Sequence, residues 1–124
     1  MKQLLIVGIG GFIGSIARFW VSKLNLHWHY LSIPIGTLTV NVLGSLLIGF
    51  LAGISAKSEI LSPSLRLFLM VGICGGFTTF SSFTNENLTL MQNGQIFSML
   101  LYTGLSLILG FSAVYIGYAI SNLL

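Results

Sequence analysis

The stretch GGFTTFSSF, residues 75–83, lies inside a run otherwise apolar enough to cross a bilayer. A simple span needs neither paired glycines nor four hydroxyl side chains, and hydrocarbon offers such groups no hydrogen-bond partner. If a helix begins at Pro63, Gly75 is its thirteenth residue. That is about 20 Å along the axis at 1.5 Å per residue, past the middle of a roughly 30 Å core. The reading is a third helix broken near the midplane at Gly75-Gly76, with Thr78, Thr79, Ser81 and Ser82 to satisfy freed backbone. A second half-helix from about Thr79 to Gln92 completes the span. Backbone breaks at that depth are tolerated where they are buried in protein or line a polar cavity, and they mark ion or substrate sites. Phe77, Phe80 and Phe83 follow at helical spacing. An aromatic ring carries a positive edge, so ring edges can line the path of a small anion without holding it tightly.

The rest of the chain agrees with a membrane setting. It has 124 residues, 55% hydrophobic and 6% charged, with a mean hydropathy of +0.98. Soluble domains carry about 25% charged residues. The class is an all-α membrane protein. Five Lys/Arg against two acids give a net charge of +3, too sparse for a nucleic-acid interface. The single cysteine, Cys74, excludes an internal disulfide framework and reads as a small buried hydrophobe. Lys2, an apolar run and Ser15-Ile16-Ala17 imitate a cleavable signal. The run continues through Phe19, Trp20 and Val21, so it reads as a first span.

Four transmembrane helices are expected, over about residues 3–24, 33–55, 63–92 and 96–122, as one domain covering 1–124. Ser32 before Pro34 and Ser62 before Pro63 read as helix starts. His27, Trp28, His29 and Tyr30 read as an interfacial belt, and Ala56-Lys57-Ser58-Glu59 as a short connection. Small residues four apart, such as Gly10/Gly14, Gly49/Gly53 and Ala113/Gly117, allow close helix approach. GIGGFIG, residues 8–14, lacks the spacing and the strand context of a dinucleotide loop.

Charge scarcely orients the chain. Lys2, Lys57 and Arg66 fall on one side of a four-span topology, Arg18 and Lys23 on the other. The positive-inside rule needs a clearer bias. A chain without a preference inserts both ways, and two opposed copies then pair like the inverted repeats of larger transporters. The competing account is a weakly biased single topology.

Other polar residues extend the pattern. Asn41, near Thr37 and Ser45, either donates to an anion or joins helices. Arg18, near the end of the first span, either gathers anions or snorkels. Glu86 sits at a pore mouth or at the interface. Tyr102 and Ser106 share a helix face and can continue a polar track.

GICGGFTTFSSF, with TLTVNVLGSLLIG (residues 37–49) and GGFIGSIAR (residues 10–18), closely resembles the Fluc family of small bacterial fluoride channels, also called CrcB proteins. The resemblance covers essentially the whole chain. It implies an antiparallel, dual-topology homodimer in the bacterial inner membrane, with lipid, fluoride and a second copy of itself as partners. It implies two fluoride pores and passive, selective fluoride export. It implies a structural sodium ion held at the dimer centre by the main-chain carbonyls of Gly75 and Thr78. Phe80 and Phe83 match the family's pore phenylalanines, Asn41 its pore asparagine and Arg18 its vestibule arginine. Ser82 stands where a threonine is common. Tyr102 and Ser106 resemble the polar track of the last helix. Thr37 and Ser81 are grouped with these pore residues. The main alternative, a small proton-coupled multidrug-type exchanger, needs a carboxylate in the first span, and the only acids are Glu59 and Glu86. No nucleophile–base pair or metal-ligand cluster suggests an enzyme.

Overall fold

Four helical stretches are long and apolar enough to cross a bilayer: Lys2–Leu26, Ile35–Lys57, Pro63–Gln92 and Ile96–Ser121. The shortest, at 23 residues, runs about 35 Å at 1.5 Å per residue, against a core of roughly 30 Å. The structure, a computed structural model, describes residues 1–27, 29–57 and 59–124. In chain order it contains α1 (Lys2–Ser22), the short α2 (Leu24–His27), a two-stranded ribbon of β1 (His29–Tyr30) and β2 (Ile33–Pro34), and α3 (Ile35–Lys57). The third span follows as α4 (Pro63–Arg66), a π-helical stretch (Leu67–Cys74), α5 (Gly75–Phe77) and α6 (Phe80–Gln92). The chain closes with α7 (Ile96–Ser121).

The helix boundaries have local causes. Ser62 caps α4: its Oγ accepts from the Leu65 N–H at 3.1 Å, with Pro63 next in the chain. Such a cap contributes about 1 kcal/mol. The end of α6 is a Schellman turn. Gly94 takes φ +76°, its N–H donates to the Met91 carbonyl, and the Gln95 N–H reaches the Leu90 carbonyl at 2.8 Å. The expected start at Ser32 is different. Ser32 lies at φ 62° beside Leu31 at φ 54°, in the turn of the antiparallel ribbon, and α3 begins only at Ile35. Pro34 pairs with His29 in that ribbon. The Ser32 hydroxyl instead accepts from Gln95 Nε2 at 3.2 Å, joining the first connection to the third. The expected belt falls largely on Trp28 and on the side chains of His27, His29 and Tyr30. These, like Ser58 of the second connection, lie outside the described residues.

α3 packs along α7, and α1 packs along the π-helical stretch and α5. Small residues make both contacts. A Cβ on Gly49 would run into the Val114 carbonyl of α7, and one on Gly117 into the Leu46 carbonyl of α3. Packing of this kind replaces the hydrophobic drive that lipid removes. The buried apolar clusters are correspondingly small. Ile33, Leu90 and Tyr102 form one, with Phe83 and Leu38 against it. Leu51, Leu61 and Cys74 form the other. Large apolar side chains such as Phe12, Ile108 and Phe111 point outward instead, the arrangement a chain solvated by lipid requires.

Candidate functional site

The third span is interrupted at Thr78–Thr79, not at Gly75-Gly76. Gly75 is helical at φ −62°, ψ −39°, whereas Thr78 (ψ 157°) and Thr79 (φ −149°, ψ 120°) are extended. Gly76 serves packing, whereas the Cβ position of Gly75 is open. A Cβ on Gly76 would stand 2.6 Å from the Gly11 carbonyl of α1. The β-branched threonines are the residues that favour extended backbone.

Side chains from α1 and α3, and from the interruption itself, hydrogen-bond the backbone here. The Thr79 N–H donates to Asn41 Oδ1 at 2.9 Å, and Asn41 Nδ2 donates to the Thr79 carbonyl at 3.0 Å. Arg18 Nε, reaching inward from α1 rather than snorkelling, donates to the Gly76 carbonyl at 3.0 Å. Thr78 Oγ1 donates to the Cys74 carbonyl at 3.0 Å. Thr79 Oγ1 caps α6 by accepting from the Ser82 N–H at 3.1 Å. The N–H groups of Phe80 and Ser81, at the first turn of α6, have no carbonyl one turn back within that helix. A concavity of about 370 Å³ opens at the interruption, its lining including Asn41, Ser45, Gly75, Thr78, Thr79 and Phe80.

A chain of aromatic contacts leads away from it. The Phe80 and Phe83 rings lie 5.9 Å apart, and Phe83 meets Tyr102 edge-on at 5.0 Å. Tyr102 is fully buried, and its hydroxyl donates to Glu86 Oε1 at 2.8 Å. Glu86 Oε2 accepts from Thr37 Oγ1 at 2.6 Å and from Asn25 Nδ2 at 3.4 Å. All three donors are neutral, so the carboxylate is held by hydrogen bonds.

The expected residues therefore form two neighbouring groups. Arg18, Asn41, Gly75 and Thr78 gather at the interruption. Thr37, Phe83, Glu86 and Tyr102 gather around the carboxylate, and Phe80 joins the two. Glu86 is half-buried, its carboxylate held between Thr37 of α3 and Tyr102 of α7. Ser81 is exposed, its Oγ 3.4 Å from Thr79 Oγ1. Ser106 lies apart, lining a smaller hollow of about 220 Å³ with Ser45 and Gly110; among the described residues its shielded Oγ has no partner. Asn25 was not singled out by sequence. It sits in the short α2 at the end of the first apolar stretch, between Lys23 and His27, with no motif around it to mark it.

The family described as "CrcB-like protein, Camphor Resistance (CrcB)" matches residues 5–118. The chain belongs to the CrcB family. CrcB relatives named fluoride-specific ion channel FluC align over nearly the full length. One from Azobacteroides pseudotrichonymphae is 42% identical over 122 residues, 98% of each chain. One from Chlorobium phaeobacteroides strain BS1 is 46% identical over 97% of this chain and 93% of its own. One from Flavobacterium psychrophilum is 39% identical over 98% of each. This CrcB chain is thus a multi-pass bacterial membrane protein. Its relatives' names are those of a channel rather than an enzyme or an exchanger.

Proposed function

We propose that the chain is a passive fluoride channel that lets cytoplasmic fluoride leave across the inner membrane. The observation that carries this reading is the run Phe80–Phe83–Tyr102, which leads from the N-terminus of α6 to the Glu86 cluster. The α6 terminus contributes free N–H groups and a positive dipole end, and the rings contribute polarised edges. Together these offer a small anion several weak donors in place of water. A narrow path of weak sites favours an ion that enters and leaves quickly. An inside-negative potential drives the anion outward by about 2.3 kcal/mol per 100 mV.

Two opposed copies complete the pore. Phe80 is 77% exposed on the single chain, and Gly75 and Ser81 are exposed nearby. Backbone and hydroxyl groups facing lipid at the midplane are costly, so a second copy covering this face is favoured. The near-equal division of Lys and Arg supports opposed insertion. Each copy then contributes its own aromatic run, giving two pores. At the centre, the carbonyls of Gly75 and Thr78 suit a sodium ion. The Thr79 N–H, which an unbroken helix would turn to the Gly75 carbonyl, goes to Asn41 instead. The Cβ position of Gly75 is open, and hard oxygen donors from unwound backbone match a hard cation. Bound there, sodium would supply positive charge shared by the carbonyls of two copies.

The test is anion efflux from liposomes containing the purified protein, read with a fluoride electrode and repeated with chloride. Fluoride efflux without chloride efflux is expected. Its absence from a correctly inserted protein overturns the reading.

A further inference from the structure

We propose that Asn25 is a positioning residue for this pore, setting the Thr37 hydroxyl and the Glu86 carboxylate in the orientation that fluoride meets. The inference rests on the fluoride reading above. Asn25 lies in α2, outside the helices α3 and α6 that supply the groups it holds. Its Oδ1 accepts from the Thr37 N–H at 3.1 Å. Its Nδ2 donates to Thr37 Oγ1 at 3.0 Å and approaches Glu86 Oε2 at 3.4 Å. One amide thereby grips both the backbone and the side chain of Thr37, and touches the carboxylate that Thr37 itself bonds at 2.6 Å.

The local fold makes room for this grip. A Cβ on Gly36 would stand 2.8 Å from Asn25 Oδ1 and 2.9 Å from the Ser22 carbonyl. The glycine before Thr37 is therefore the condition for the Asn25 side chain to lie flat against the start of α3. The consequence is directional. Thr37 Oγ1 has one hydrogen. Because Asn25 Nδ2 donates to that oxygen, the hydroxyl hydrogen is left to point at Glu86. Tyr102 fixes the other carboxylate oxygen from α7. Among the described residues, Tyr102 is the only other titratable side chain hydrogen-bonded to Glu86.

Substitution to Asp separates positioning from packing, because shape is kept while the Nδ2 donor becomes an oxygen facing Glu86. Two carboxyls this close share a proton rather than both ionising. The shared proton then does the work of the amide hydrogen. The experiment compares the wild-type chain, Asn25→Asp, Asn25→Leu and the double variant Asn25→Asp/Glu86→Gln in liposomes. Fluoride efflux is measured from mildly acidic to mildly alkaline buffer, with protein-free vesicles subtracted. Asn25→Leu should slow efflux about threefold to tenfold at every pH, the scale of one or two lost hydrogen bonds. Asn25→Asp should acquire a pH profile, near wild type in acid and slow in alkali, and Glu86→Gln should abolish that profile.

Asn25→Asp and Asn25→Leu rates that match wild type throughout overturn the proposal, as does a pH profile that survives Glu86→Gln. A wild-type chain that passes no fluoride overturns the channel reading instead. In that case the positioning is read without flux, by carbon-13 titration of the glutamate carboxyls, of which the chain has two. A Glu86 titration that moves in Asn25→Asp while Glu59 stays fixed supports the positioning, and an unmoved Glu86 overturns it.

Discussion

Asn41 and Thr79 exchange two hydrogen bonds across the interrupted span, 2.9 Å from the Thr79 N–H to Asn41 Oδ1 and 3.0 Å from Asn41 Nδ2 to the Thr79 carbonyl. A side-chain amide has the same donor and acceptor pair as a peptide group, so Asn41 supplies the acceptor that the Thr79 N–H lacks in the helix and adds a donor to the Thr79 carbonyl, which as the N-cap also begins the α6 ladder. Asn41→Leu removes both bonds and leaves the Thr79 N–H unpaired. It should destabilise the fold by about 1–3 kcal/mol, read as a lower unfolding midpoint in detergent. Asn41→Asp, which keeps only the acceptor, should fall between.

Phe80 and Phe83 should separate pore from scaffold. Phe80 is mostly exposed on the single chain, whereas Phe83 packs against the cluster of Ile33, Leu90 and Tyr102. Phe80→Ile should leave the thermal midpoint of the chain nearly unchanged yet abolish fluoride efflux. Phe83→Ile should abolish efflux and also lower stability, by about 1–3 kcal/mol. Efflux at the wild-type rate in both variants would remove the rings from the pore.

The hydroxyl of Tyr102 should matter independently of its ring. Tyr102→Phe keeps the edge contact with Phe83 but takes the donor from Glu86 Oε1. Leaving a partly buried carboxylate oxygen unpaired costs about 1–3 kcal/mol. The expected result is a folded protein with a lower midpoint and slower fluoride efflux.

Glycines at helix contacts should be intolerant, and open ones tolerant. Gly49→Ala and Gly117→Ala each drive a methyl group into a facing carbonyl. Each should cost about 1–3 kcal/mol through forced separation of α3 and α7, measured as reduced yield and midpoint. Gly8→Ala and Gly104→Ala meet nothing within 4 Å and should be neutral or mildly stabilising.

Sodium removal should weaken the proposed pairing of two copies through Gly75 and Thr78. Replacing sodium with a large organic cation during prolonged dialysis should lower fluoride efflux and shift the protein toward single chains in detergent. An unchanged rate and elution position in sodium-free buffer would argue against carbonyl ligation there.

The four spans were legible because hydropathy and length suffice to mark them, and Ser62 with Pro63 was legible because a cap and its proline are adjacent in sequence. The position of the interruption was not. Paired glycines suggest a break, but Gly76 is needed for the approach of α1, a distant partner that no local reading reveals. Ser32 misled for a similar reason: the ribbon of β1 and β2 takes Pro34 as a strand residue. Thr37, Phe83, Glu86 and Tyr102 each stand out in the sequence, but their union around one carboxylate depends on how α3, α6 and α7 pack. Asn25 acts through contacts 12 and 61 residues away in sequence, and so no motif announces it.

The π-helical stretch Leu67–Cys74 has a further consequence for how this chain tolerates length change. Its wider turns absorb more residues per revolution than an α-helix does, which sets the rotational phase of everything after it. Loss of one residue there would let the segment relax to α-helical winding at little local cost. The same loss would swing Thr79 around the axis and away from Asn41. Deletions and insertions should thus be selected against in this segment, as should a side chain at Gly72, where a Cβ would stand 2.9 Å from the Gly10 Cα of α1, whereas an outward residue such as Val71 is free to change among apolar types. Its outer face is open to drift while its residue count is fixed.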